Sequence, residues 1–98
     1  MILVNNNNLI NKLIKKKSIL LFSANWCKPC KILKKKIKKI EQNSSLIFFE
    51  INVDLFQEEI VKLNVKNIPT ILINNKVKKF YSGILSIKKL MFLIKQNF

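Results

Sequence analysis

The stretch Phe22-Ser23-Ala24-Asn25-Trp26-Cys27-Lys28-Pro29-Cys30-Lys31 decides how the rest of the chain is read, because it holds both cysteines and the single tryptophan. An apolar run from Ser18 to Phe22 leads into it and reads as a buried strand, while Lys31 to Ile40 leads out with apolar residues at helical spacing. The cysteines therefore sit where a strand hands over to a helix. Backbone N–H groups in a first helical turn have no intrahelical partners and form the positive end of the helix dipole, so a thiolate is favoured there. Cys27, one turn ahead of Cys30, faces those donors and is expected to be exposed, and Lys28 and Lys31 add positive charge that further stabilises its ionised form. Pro29 fits the first turn, where a missing N–H costs no helical bond, and its fixed φ stiffens the link between the sulfurs. The pattern predicts a dithiol redox site in which Cys27 attacks a disulfide and Cys30 resolves the resulting mixed disulfide.

The totals bound the alternatives. A chain of 98 residues, 49% of them hydrophobic, supports one domain with one core, assigned to residues 1–98. Two cysteines three apart close too short a loop to restrain the unfolded chain, so they serve reactivity or metal. A tetrahedral metal site needs four ligands, and the chain has no histidine and no third cysteine. The Asn5 to Asn8 run interrupts the apolar start before a secretory h-region can form, and no apolar stretch reaches bilayer length. A soluble protein of a reducing compartment, the cytoplasm, is the expectation. The net charge of +14 raises the question of nucleic acid. Against it, every basic residue is Lys, which denies bidentate recognition of guanine or phosphate. The lysines fall mostly on the polar faces of the predicted helices, and the enrichment in Lys, Asn and Ile reads as a compositional bias spread along the chain.

In chain order, residues 2–4 suit a short edge strand and the asparagine run a capping loop. Leu9, Ile10, Leu13 and Ile14 make the stripe of a first helix. Ser18 to Ala24 is a central strand, followed by a helix with Ile32, Leu33, Ile37 and Ile40 facing inward. Leu46 to Val53 is a second buried strand, closed by Asp54, and Gln57 to about Leu63 is a short helix. This alternation implies parallel strands joined by right-handed crossovers. Pro69 marks a strand start before Ile71 to Ile73. Asn74-Asn75 reads as the turn of an antiparallel hairpin running into Lys76 to Tyr81. Ser86 caps a last helix whose inward face is Ile87, Leu90, Met91 and Ile94.

With these elements placed, the chain resembles the thioredoxin family along nearly its whole length. The segment around Trp26-Cys27-Lys28-Pro29-Cys30 is similar to the family's Trp-Cys-Gly-Pro-Cys active site. Glu50-Ile51-Asn52-Val53-Asp54 resembles its third strand, Ile68-Pro69-Thr70 its cis-proline loop opposite the redox pair, and Gly83 the glycine ahead of its last helix. The resemblance implies an α/β thioredoxin-like fold, with a central mixed sheet of parallel strands plus a C-terminal antiparallel hairpin, flanked by helices on both faces. It implies a protein-disulfide reductase that cycles a Cys27–Cys30 dithiol and disulfide and maintains redox balance. Such a protein is expected as a monomer with no bound cofactor, recharged by an NADPH-dependent thioredoxin reductase. Substrates would dock on Trp26, Lys28, Pro29, Ile68, Pro69 and Gly83, pairing strand-like beside the proline, and a basic surface would favour acidic ones.

Two departures stand out. Where the family has a buried aspartate ahead of the nucleophile, this chain has Leu21, so proton transfer from the resolving thiol would pass to Glu50 on the neighbouring strand, or to water. A solvent-facing strand end is the plain alternative for Glu50. Lys28 replaces the family's glycine and favours the thiolate-bearing form. The competing functional reading is a thioredoxin-fold binding module whose thiols are not required. A glutaredoxin reading lacks support, since those sites have no tryptophan before the first cysteine.

Overall fold

The computed structural model describes residues 1–98. Its elements are β1 (Ile2–Leu3), α1 (Asn7–Leu13), β2 (Ser18–Ser23), α2 (Lys28–Gln42), β3 (Phe49–Asn52), α3 (Gln57–Lys62), β4 (Thr70–Asn75), β5 (Val77–Ser82) and α4 (Ile87–Asn97). One mixed sheet runs in the order β1-β3-β2-β4-β5. β3 lies parallel to both β1 and β2, while β4 is antiparallel to β2 and to β5. The fold is the expected mixed sheet with helices on both faces.

Every residue of β2 is buried, which is why its sequence is a continuous apolar run rather than an alternating one. Its side chains feed two cores by turns. Ile19 and Leu21 join Leu33, Ile37, Ile40, Leu90 and Ile94 under α2 and α4, whereas Leu20 and Phe22 join Val4, Ile10 and Leu13 under α1.

The helix faces depart from expectation in detail. The inward stripe of α2 is Cys30, Leu33, Ile37 and Ile40, and Ile32 is 48% exposed. At about 100° per residue, Ile32 falls to the side of a stripe that Cys30 begins. In α4 the buried residues are Leu90, Leu93 and Ile94, so Leu93 takes the place expected for Ile87. β3 is shorter than the apolar run suggested, since residues 46–48 precede it as irregular chain.

The hairpin turn also moves. Asn75 pairs with Val77, and Lys76, at φ 66°, forms the tip. Asn74 belongs to β4 and is buried, where its amide donates to the carbonyls of Leu13 (3.2 Å), Ile14 (2.8 Å) and Lys16 (2.7 Å). The end of α1 leaves backbone acceptors without helical donors, and Asn74 supplies them from across the sheet. At the other end of α1, Asn6 accepts from the Leu9 N–H at 2.8 Å, so the asparagine run does supply a helix cap.

Candidate active site

The end of β2 and the start of α2 place the cysteine pair beyond the C-terminal end of the central strand. Cys27 is the N-cap of α2, and its sulfur accepts the backbone N–H of Cys30 at 3.2 Å. Pro29 lies in the first helical turn. Cys27 and Cys30 are joined as a disulfide, with their Cα atoms 5.3 Å apart. Cys30 is fully buried and Cys27 is 4% exposed. The expectation of an open Cys27 is therefore corrected: its surroundings leave only a small aperture, and what access exists falls on Cys27 rather than on its partner. Ala24, Val53 and Ile68 enclose the pair, which is the physical reason.

Beside this aperture Trp26 is 69% exposed, so it is not a core aromatic. Its indole N–H donates to Asp54 Oδ2 at 2.9 Å, which fixes the ring at the surface. The Ile68–Pro69 peptide is cis. The Pro69 carbonyl accepts the N–H of Gly83 at 2.9 Å, and the Thr70 and Ser82 hydroxyls lie 3.0 Å apart. Those bonds tie the proline loop to the Gly83 loop, where Gly83 has φ 95°, a backbone conformation that favours glycine. Between Trp26 and Ile68 opens a cleft of about 170 Å³, walled also by Val53, Ile60 and Val65. The sequence singles out Trp26, Ile68 and Pro69 but not Ile60 or Val65, because an apolar residue on a short helix or in the segment after it looks the same whether it lines a core or a cleft.

Glu50 does not face solvent as a free strand end. It is paired with Leu21 in the β2–β3 ladder, and its carboxylate accepts the Ser23 hydroxyl at 2.8 Å and contacts the Lys34 ammonium. Its side chain is 16% exposed. Lys34 stands one helical turn beyond Cys30 on α2, so a carboxylate and an ammonium are brought to the sheet face that carries Cys30. Lys34 and Ser23 escaped the sequence reading, since neither has a signature until β2, β3 and α2 are assembled.

Residues 1–96 match the family model described as Thioredoxin. The chain belongs to the thioredoxin family. Among relatives, human thioredoxin is 39% identical over 59 residues, which are 59% of this chain and 56% of that protein. Thioredoxin AMT13 of Alternaria alternata is 35% identical over 72 residues, 69% of this chain and 61% of that protein. The matched stretches thus span only about half to three fifths of these thioredoxins' length. The solved thioredoxin pre-protein of Schistosoma mansoni superposes with a TM-score of 0.80 at 29% identity, covering 99% of this chain and 97% of that one. Fasciola hepatica thioredoxin gives 0.83 at 24% identity over the whole of both chains, a likeness of fold. The mixed five-stranded sheet with its four helices is thus a thioredoxin fold. No helix is long and apolar enough to cross a membrane.

Proposed function

We propose that this chain is a thiol-disulfide oxidoreductase that reduces disulfides in other proteins. The observation that carries the reading is the disulfide between Cys27 and Cys30, capped by the first turn of α2 and flanked by an exposed Trp26 and the cis-Pro69 loop. A sulfur that accepts an amide N–H at a helix N-terminus is stabilised as an anion when reduced. The Cys27 thiolate attacks a target disulfide, one target sulfur leaves as thiolate, and Cys27 is left in a mixed disulfide. Cys30 then loses its proton and attacks the Cys27 sulfur, which releases the second target thiolate and closes the Cys27–Cys30 bond. Two electrons pass to the target for each cycle.

The buried Cys30 needs a proton acceptor for that second step. Of the chain's five acidic side chains, Asp54 is bonded to Trp26, Glu41 is paired with the Met1 amine, Glu58 is paired with Lys62, and Glu59 stands beside Glu58 in the first turn of α3. Glu50 is the carboxylate held on the α2 side near Cys30's turn, and it takes the relay role, with Lys34 and Ser23 holding it in place. The pH dependence of reduction in Glu50→Gln tests this. An altered alkaline or acid limb is expected, and a profile identical to the parent's would remove Glu50 from the mechanism.

Substrates dock across Trp26, Lys28, Pro29, Ile68, Pro69 and Gly83, and their backbone pairs with the chain beside Pro69. The protein works as a monomer in the cytoplasm, needs no bound cofactor, and is recharged by an NADPH-dependent thioredoxin reductase. Reduction of insulin followed by turbidity, with dithiothreitol as electron source, tests the central reading. The parent is expected to accelerate precipitation and Cys27→Ser to abolish the acceleration. A Cys27→Ser, Cys30→Ser double variant that still performs the biological role in a complementation assay would replace the reductase by a binding module.

A further inference from the structure

The two helical layers that sandwich the sheet carry very different charge. α2 holds seven lysines against Glu41 alone, and α4 adds three lysines with no acid, for a layer charge of +9. On the other face, α1 contributes Lys12, while α3 contributes Glu58, Glu59 and Lys62, so those two helices are together neutral, and the lysines near them, Lys15, Lys16, Lys17 and Lys66, lie in the segments that follow. A compositional bias acting along the whole chain loads both layers alike; it does not account for this asymmetry. Nor is the charge compensated within the fold. Of the α2 lysines only Lys34 has a carboxylate partner, because Glu41 is taken by the Met1 amine at 2.7 Å and the Phe48 N–H at 2.9 Å. Lys28, Lys31, Lys35, Lys38 and Lys39 are all exposed.

The lysine layer begins at the reactive sulfur. Lys28 follows Cys27 directly and Lys31 lies one turn further, so a partner that brings a disulfide or dithiol to Cys27 covers both. From there α2 extends about 22 Å, at about 1.5 Å per residue. Ile32 and Phe92, 48% and 57% exposed, add apolar contact area within the same field.

We infer that the α2/α4 face is a docking surface for an acidic protein whose carboxylates lie beside its own reactive disulfide. This rests on the reductase reading and extends it to the class of partner. A protein is favoured over nucleic acid because the surface is contiguous with the exchange site and built from lysine alone, whose point charges neutralise dispersed carboxylates without needing planar bidentate geometry. Such complementarity acts chiefly on the rate of productive encounter and weakens as salt is added.

The test uses two disulfide peptides alike except for a tail of about ten residues beyond the cystine, rich in glutamate in one and in lysine in the other. Extended, such a tail spans more than the length of α2. The parent is expected to reduce the glutamate peptide at least about tenfold faster at low ionic strength. That preference is expected to collapse in Lys35→Glu, Lys38→Glu, Lys88→Glu and to persist in Lys12→Glu, Lys15→Glu, Lys78→Glu, which makes the same change in total charge away from the layer. Hydroxyethyl disulfide, small and uncharged, reports the basal exchange and should be reduced equally by all three proteins. Equal rates on the two peptides, or equal loss in both triple variants, would overturn the docking surface while leaving the reductase intact. Retention of single-stranded DNA by the parent without any preference between the peptides would also overturn it, in favour of a polyanion site. Failure of the parent on hydroxyethyl disulfide would instead strike the reductase reading itself.

Discussion

Lys28 places a fixed cation in the first turn of α2, next to the sulfur that the helix already polarises. A charge so placed contributes about 0.3–1 kcal/mol to the thiolate, which corresponds to roughly 5–20 mV in the potential of a two-electron couple. Because the cation favours the reduced form, removing it lowers the potential. Lys28→Gln, equilibrated with glutathione buffers, is expected to be more reducing than the parent by roughly that amount; an unchanged value would mean that solvent fully screens the charge, and a higher one would contradict stabilisation of the thiolate. Gly83 poses a different single-residue question. Its φ of 95° is unfavourable for a side chain, yet a Cβ there would meet nothing within 4 Å. Gly83→Ala should therefore lose roughly 1–2 kcal/mol in urea unfolding, the cost of the backbone conformation alone, and a larger loss would point to a collision that the open surroundings do not contain.

Elements in this molecule are held at their ends by residues far away in sequence. Asn74, inside β4, closes the C-terminal end of α1 with three bonds to backbone carbonyls. Ser18 also donates to the Leu13 and Lys16 carbonyls, so Ile14 has the most to lose. Asn74→Ala is expected to cost about 2 kcal/mol. Asn74→Asp should cost at least as much, because it removes the donor and buries a charge against carbonyl oxygens. Denaturant midpoints check the order, and an Asp variant as stable as the parent would contradict the cap. The inward stripe of α2 admits a similar contrast. Ile37 is fully buried and Ile32 is not. Ile37→Ala should lose roughly 2–5 kcal/mol, against within about 0.5 kcal/mol for Ile32→Ala; equal losses would put Ile32 back in the core.

Across the whole molecule, a charge of +14 with three salt bridges means that folding gathers like charges. Self-repulsion of this kind opposes the compact state and is screened as the Debye length falls from about 30 Å at 0.01 M salt to about 8 Å at 0.15 M. The thermal midpoint is expected to rise over that range in potassium chloride. A flat or falling midpoint would mean that the lysine layer is neutralised by something other than mobile ions.

The strand-to-helix junction at Cys27, the buried β2, the parallel crossover and the C-terminal hairpin were legible in the sequence. Each is written in local terms: an uninterrupted apolar run, a 3.6-residue period, a proline at a strand start, a glycine before the last helix. Three things were not. Which side of α2 turns inward depended on Cys30 opening the stripe, so a count of apolar residues alone mistook Ile32 for core. The asparagine pair near the hairpin reads as a turn because Asn carries turn chemistry, whereas the fold uses Asn74 as a cross-sheet cap, a role that exists only once α1 lies against β4. The pairing of Glu50 with Lys34 and Ser23, and the crowding of lysines onto one layer, arise the same way. Local pattern fixes which residues share an element, but charges and polar groups act through space, and only packing brings residues remote in the chain within reach of one another.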